Sequence, residues 1–159
     1  YVHGEDPRKA HLAGLLHDCA KGYRLDAQIQ WIERGKVEVD PEERDIPSIC
    51  HAPAGVAVAR ELYGVSDPDV LSAIRWHTTG RRGMTRLDKV VYLADMIEPM
   101  RRPFPGLNRI RQTAYKNLDE ATLLAARTSA DHILGGGRKL LRRTLEMLEG
   151  ETSAESSQS

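Results

Sequence analysis

Three histidines and two aspartates carry the chemistry legible in this sequence: the doublet His17-Asp18, then His51, His77 and Asp95. Imidazole and carboxylate together are the ligand set that divalent iron, manganese, nickel and zinc accept. The gaps between them are long, which is how a helical bundle builds a metal site, with one or two ligands per helix converging in the core. Each residue alone has an ordinary explanation. A histidine such as His77 on an apolar helix face is commonly a hydrogen-bonded core residue, and an inward Asp95 is commonly half of a salt bridge. Five inward polar groups in one small domain are harder to accommodate that way, because each is costly to bury without a partner. A bound cation removes most of that cost at once. The two cysteines, Cys19 and Cys50, are too far apart in sequence to suggest a structural zinc knot and read as free thiols.

The elements that must position these residues read as helices throughout, an all-α fold. Asp6-Pro7 opens the first, with Asp6 as N-cap and Pro7 at the first helical position. The nearly continuous apolar run 10–20 predicts a helix buried on most sides, ended by Lys21-Gly22 with Gly22 as a left-handed cap. Residues 26–34 form a short amphipathic helix, and the charged stretch 37–48, with Pro41 and Pro47, reads as a loop or broken turn. Pro53 is placed in the first turn of the next helix, which Gly64 ends. Ser66 or Asp67 caps a helix on which Val70, Ile74 and His77 share a face. Thr85 and Asp88 have capping-box spacing and open a helix through Asp95. Pro99, Pro103 and Pro105 break the chain, and helices over roughly 107–133, with a break inside it left open, and 139–148 follow, with Gly135-Gly136-Gly137 as a hinge. Residues 1–150 are expected to form one domain and the Ser- and Glu-rich 151–159 a disordered tail.

Composition sets bounds only. At 159 residues, with 23 Lys+Arg against 23 Asp+Glu, the chain has no global field that would favour nucleic acid or an anionic membrane. It has no apolar run of about 20 residues for a membrane span and no visible signal peptide. A soluble cytoplasmic domain without nucleic-acid or membrane partners is the expectation.

Five ordered strings carry a family resemblance: AGLLHDCAK at 13–21, HAPAG at 51–55, HTTG at 77–80, MTRLDK at 84–89 and ADMIEPMR at 94–101. Together they resemble the HD-domain superfamily, an all-α helical bundle, and within it the YqeK-type branch of symmetrical bis(5′-nucleosyl)-tetraphosphatases. The resemblance implies hydrolysis of diadenosine tetraphosphate and related dinucleoside polyphosphates to two nucleoside diphosphates. It also implies two metal ions, iron foremost with manganese, nickel or zinc as alternatives, and leaves a homodimer open. By position, His17 and Asp95 would hold one ion, His51 and His77 the other, and Asp18 would bridge. Two such ions generate hydroxide from water at neutral pH and neutralise charge on the attacked phosphoryl group.

One departure from the pattern stands out. The superfamily's first metal histidine lies on a helix well upstream of the doublet. His3 is too close to the doublet for that role, and His11, six positions before His17, lies about 240° round the helix from it. That upstream helix is therefore expected to be missing.

A tetraphosphate bridge needs cations beyond the metals. Lys21, one turn past the doublet, is the first candidate and a candidate catalytic residue with Asp18; Arg101 and Lys89 follow. Arg81 and Arg82 are more simply solvated loop charges. Thr78, Thr79 and Gly80 offer hydroxyl and backbone donors to phosphate, or else simply end the helix. Trp76 should point away from His77, and His132 has no assigned chemistry. Two competitors remain at this level: a nucleotidase or broader nucleoside-polyphosphate hydrolase on the same centre, and a non-catalytic nucleotide-binding regulatory module. A product assay separates the three.

Overall fold

The structure, a computed structural model, describes residues 2–156, and they are helical throughout, with no strand among them. Helix α1 (Pro7–Leu16) starts as its cap predicts, with the Asp6 side chain accepting from the Arg8 N–H. It stops at Leu16, short of residue 20, and 17–22 follow as consecutive turns. Gly22 is not left-handed and does not cap it. The apolar run is also less buried than its composition suggests: Ala13 and Leu16 face inward, whereas Leu12 and Leu15 are exposed. The early stop matters for the site, because it places His17 at the helix end and Asp18 in the turn beyond it.

Helix α2 (Leu25–Arg34) is the expected amphipathic segment. The stretch read as a loop contains a four-residue helix, α3 (Pro41–Arg44), and the start of α4 (Pro47–Tyr63). Both begin with proline at the first helical positions, where its missing N–H costs nothing. Pro53 therefore lies inside α4 rather than in its first turn. Burial outweighs the usual penalty of an interior proline, since Cys50 to Ala59 are all buried along this helix. Gly64 closes α4 at φ 67°.

Helix α5 (Pro68–Trp76) is capped by Asp67, and α6 (Arg86–Ile97) opens on the Thr85/Asp88 capping box. Helices α7 (Leu107–Ala114) and α8 (Leu118–Gly135) occupy the segment read as helix with a break left open, the break falling at 115–117, and α9 (Arg142–Ser156) follows the glycine run. The α9 backbone continues past the expected boundary at 150; residues 157–159 of the expected tail lie outside the described residues.

Helix α6 joins two cores. Its Leu87 and Val91 pack with Leu16, Val56 and Ile74 from α1, α4 and α5. Its Tyr92 and Leu93 pack with Ile110, Ala125 and Met147 from α7, α8 and α9. A third cluster holds α2 against α4 through Ile32, Ala54 and Val58. Each fully buried Leu or Ile contributes about 1.5–3 kcal/mol. The last turn of α6 packs on the second core through Met96 and Ile97, while its Asp95 reaches His17 beyond the end of α1.

Candidate metal centre and substrate cavity

Close packing brings the ligand candidates together. Gly55 of α4 faces Ile74 of α5, Cys19 Sγ and the His17 carbonyl so closely that an added Cβ would lie 3.3–3.7 Å from each. Only the approach to Ile74 is tight, and the contacts to Cys19 and His17 show that α4 packs directly against the 17–19 turn. His51 at the start of α4 and His77 at the end of α5 reach Asp18, and Asp95 near the end of α6 reaches His17.

The contacts form a connected set. Asp18 Oδ1 lies 3.0 Å from His51 Nε2 and 3.5 Å from His77 Nε2, while Oδ2 lies 3.5 Å from His17 Nε2. His17 Nε2 is 3.7 Å from Asp95 Oδ1, and the Nε2 atoms of His51 and His77 are 3.1 Å apart. His17, Asp18 and His77 offer ligand atoms all within 4.8 Å of one another. Two imidazoles are held from behind: His17 Nδ1 donates to the Gly14 carbonyl at 2.6 Å and His77 Nδ1 to the Ile74 carbonyl at 2.7 Å. That fixes the tautomer in which Nε2 keeps its lone pair pointing into the site, the usual arrangement for a metal-ligating histidine.

The donor set fits a cation. Asp18 Oδ1 is buried and makes no well-formed hydrogen bond despite its two imidazole neighbours. Lone pairs on oxygen and nitrogen converge where only a positive charge or a proton relieves their repulsion. The local field says the same. Burial opposes ionisation of Asp18, but His51, His77 and Lys21 outweigh it and hold the carboxyl well below the usual range. Asp95 draws the His17 pKa upward against the effect of burial, helped by the Gly14 carbonyl and Asp18. His17 in turn lowers Asp95, with Arg101 assisting and burial opposing. His17, Asp18, His51, His77 and Asp95 are the residues that would hold a divalent cation, whose charge would offset this negative field.

A cavity of about 770 Å³ opens from this cluster, and His77, Thr78, Asp95 and Arg101 are among its lining. Arg101 Nη2 sits 3.0 Å from Asp95 Oδ1 and also donates to the Asp95 carbonyl, which turns the guanidinium toward the site. Lys21 pairs with Asp18 Oδ2 at 2.7 Å, but its side chain is 59% exposed, so it stands at the rim.

Other candidates fall elsewhere. Thr78 lines the cavity with a buried, unpartnered hydroxyl. Thr79 is buried and its hydroxyl donates to the Gly80 carbonyl, while the Gly80 N–H is used by the Trp76 carbonyl. Gly80 has φ 64° and lies against the Met147 sulfur, leaving no room for a side chain. Thr79 and Gly80 thus end the helix and seat α9, and present nothing to a phosphate. Lys89 pairs with Asp119 of α8 at 2.7 Å, away from the cluster. Arg81 pairs with Asp88. Trp76 points away from His77 as expected, into a group of guanidiniums from Arg75, Arg81 and Arg143. His3 lies against the Ala114 carbonyl, and His11 is exposed.

Sequence reasoning missed the far wall of the cavity, formed by Tyr92, Met96, Phe104, Thr128, Ser129 and His132. One signal was available: the chain's single phenylalanine lies in a proline-rich loop three residues from Arg101.

Comparison with known proteins agrees with this centre. The HD-domain family model matches residues 2–100, the segment that supplies all five ligand candidates. The chain belongs to the HD-domain family. Among HD-domain relatives, the symmetrical bis(5′-nucleosyl)-tetraphosphatase of Bacillus subtilis (strain 168) is 42% identical over 120 residues, covering 76% of this chain and 63% of that protein. The protein of the same name from Staphylococcus aureus (strain NCTC 8325 / PS 47) is 38% identical over 114 residues, 72% of this chain and 58% of that one. The chain thus spans less than two-thirds of the length of these relatives. A crystal structure of a predicted HD superfamily hydrolase involved in NAD metabolism, from Clostridium acetobutylicum, superposes with a TM-score of 0.90. It is 35% identical, and the match covers 96% of this chain and 80% of that one. No helix among the described residues is long and apolar enough to cross a membrane.

Proposed function

We propose that this HD domain hydrolyses diadenosine tetraphosphate and related dinucleoside polyphosphates symmetrically, releasing two ADP from the diadenosine compound. The observation that carries this reading is Asp18 facing three imidazole Nε2 atoms, in a cluster whose His77 and Asp95 line a cavity of about 770 Å³. The names of the relatives supply the substrate class. His17 and Asp95 would hold one ion, His51 and His77 a second, and Asp18 would bridge, each carboxylate oxygen already facing a different set of imidazoles. Iron is the first candidate, with manganese, nickel and zinc compatible with the same ligands. When bound, the ions supply Lewis acidity, lowering the pKa of water and offsetting charge on the attacked phosphoryl group.

The protein's own groups do the rest. The Gly14 and Ile74 carbonyls hold His17 and His77 in one tautomer. Arg101 steadies Asp95 and presents a guanidinium to the polyphosphate where it enters the cavity. Lys21 adds positive charge at the rim. A bridge gripped at its middle breaks into two equal halves, with solvent oxygen entering only one. Chromatography of the products from diadenosine tetraphosphate, using manganese- or iron-reconstituted protein, tests this. ADP alone is expected. AMP plus ATP would overturn the symmetric assignment, and nucleotide binding without turnover would favour a regulatory module.

A further inference from the structure

The residues lining the cavity fall into two unlike groups. The group described above carries charge: His77, Asp95 and Arg101. The other group comes from two helix faces and a loop. Tyr92 and Met96 lie four apart on α6, on the same face as Asp95. Thr128 and His132 lie four apart on α8, with Ser129 beside them. The loop between α6 and α7 closes the space with Phe104 and Pro105. Tyr92 joins the two helices, its hydroxyl paired with Ser129, and burial pushes that phenol up to about 12, so it stays neutral.

A polyphosphate would find little to hold it in this group. Arg101 is the single Arg or Lys among the described lining residues, and it belongs to the charged group. The α8 rim instead carries the carboxylate of Asp131, which repels phosphate. Apolar and aromatic walls with a few convergent polar groups describe a site for an uncharged ring. The space is also of the right size, about 770 Å³ against the roughly 300–1,000 Å³ usual for small-molecule sites.

We infer that the α8 group of lining residues forms a nucleoside subsite in which Phe104 and His132 contact the base of one nucleotide half, so that these two residues set recognition of the nucleoside rather than of the phosphates. The inference rests on the phosphohydrolase reading above, which supplies a nucleotide as occupant. His132 is exposed, and its ring is free to stack or to hydrogen-bond at the rim. Phe104 is half-buried against the second core, so its ring is held in place before a ligand arrives.

Calorimetry on manganese-loaded protein tests this, comparing ADP with methyl diphosphate, which has the same anhydride and no nucleoside. The wild-type chain is expected to favour ADP by roughly tenfold or more, the scale of one base stacked on an aromatic ring. His132→Ala and Phe104→Leu should each erase most of that preference while leaving methyl diphosphate affinity unchanged. Leucine keeps Phe104's place in the core, and exposed His132 carries the test alone if that variant does not fold. Equal affinity for both ligands in the wild type would overturn the inference, as would variants that weaken both ligands alike. An ADP preference that responds to these substitutions, in a protein that does not yield ADP alone from diadenosine tetraphosphate, would leave the subsite standing and remove the symmetric reaction.

Discussion

Glu43 and Asp18 are both carboxylates drawn toward the interior, and their surroundings could hardly differ more. Glu43 is fully buried and fully satisfied. Its two oxygens accept from Arg75 at 3.1 and 2.8 Å, and Oε2 also accepts the Asp40 N–H at 2.9 Å. Arg75 completes its own shell by lying 4.1 Å over the Trp76 ring. Asp18 remains half exposed and unfinished, with one oxygen buried beside two imidazoles and bonded properly to neither. A closed polar cluster holds a fold together; an open one, held in place by the rest of the fold, waits for a ligand. The contrast distinguishes a closed structural pair from a cluster suited to a ligand, without reference to any relative.

The largest expected effect breaks the contrast at its open side. Asp18→Ala removes the group that all three imidazoles face, so turnover should fall about a thousandfold or more, with kcat and kcat/KM falling together. Because the cluster is not what stabilises the fold, the variant should still melt cooperatively. Steady-state kinetics beside a thermal melt check both halves, and wild-type kcat would end the bridging role.

At the closed side the same substitution should do the reverse. Glu43→Ala leaves Arg75 buried and unpaired and is expected to destabilise the protein by roughly 3–5 kcal/mol. A shift of the urea midpoint with unchanged slope would measure it. Manganese affinity of the protein that remains folded should stay at the wild-type value. A cost under about 1 kcal/mol would mean the pair is no more than a surface bridge.

The two clusters were not equally legible. The convergence of His17, Asp18, His51, His77 and Asp95 was legible because histidine and aspartate are conspicuous in apolar helices, and the caps at Asp6, at Ser66 or Asp67, and at Thr85 because capping is local chemistry. Glu43 and Arg75 were invisible: nothing in a charged stretch says that one carboxylate will meet a guanidinium 32 residues on. The far wall of the cavity was hidden for a similar reason, since Phe104 and His132 meet α6 only through tertiary packing. Run lengths misled where burial overrode local rules, as with Pro53 inside α4 and the apolar face of α1 left exposed. Thr79 and Gly80 look like phosphate donors in sequence, yet their bonds are spent inside the turn.

Metal should sharpen the comparison further. An ion that binds the folded chain but not the unfolded one stabilises by about 2.7 kcal/mol at a hundredfold excess over its Kd. Manganese or ferrous iron, added after chelator treatment, should therefore raise the melting temperature of the wild type and of Arg75→Met/Glu43→Leu alike. His77→Ala should lose most of that response. Equal responses in the wild type and His77→Ala would place the ion elsewhere.

Lys21 gives the smallest expected effect and tests how far the open cluster extends. By sequence it is the leading cation, one turn past the doublet and beside the bridging carboxylate. In the fold it makes a short contact with Asp18 Oδ2, but more than half of its side chain is in solvent. Exposed ion pairs contribute about 0–1 kcal/mol, and salt weakens them. Lys21→Ala should therefore raise KM for diadenosine tetraphosphate a few-fold at low salt, with kcat nearly unchanged and the difference fading as ionic strength rises. Arg101→Ala should cost more, about 10–100-fold in kcat/KM, because that guanidinium also orients Asp95. If Lys21→Ala instead lowered kcat by the larger factor at every salt concentration, the ammonium would be acting on the reacting phosphate, and the boundary of the catalytic centre would have to be drawn outward to the rim.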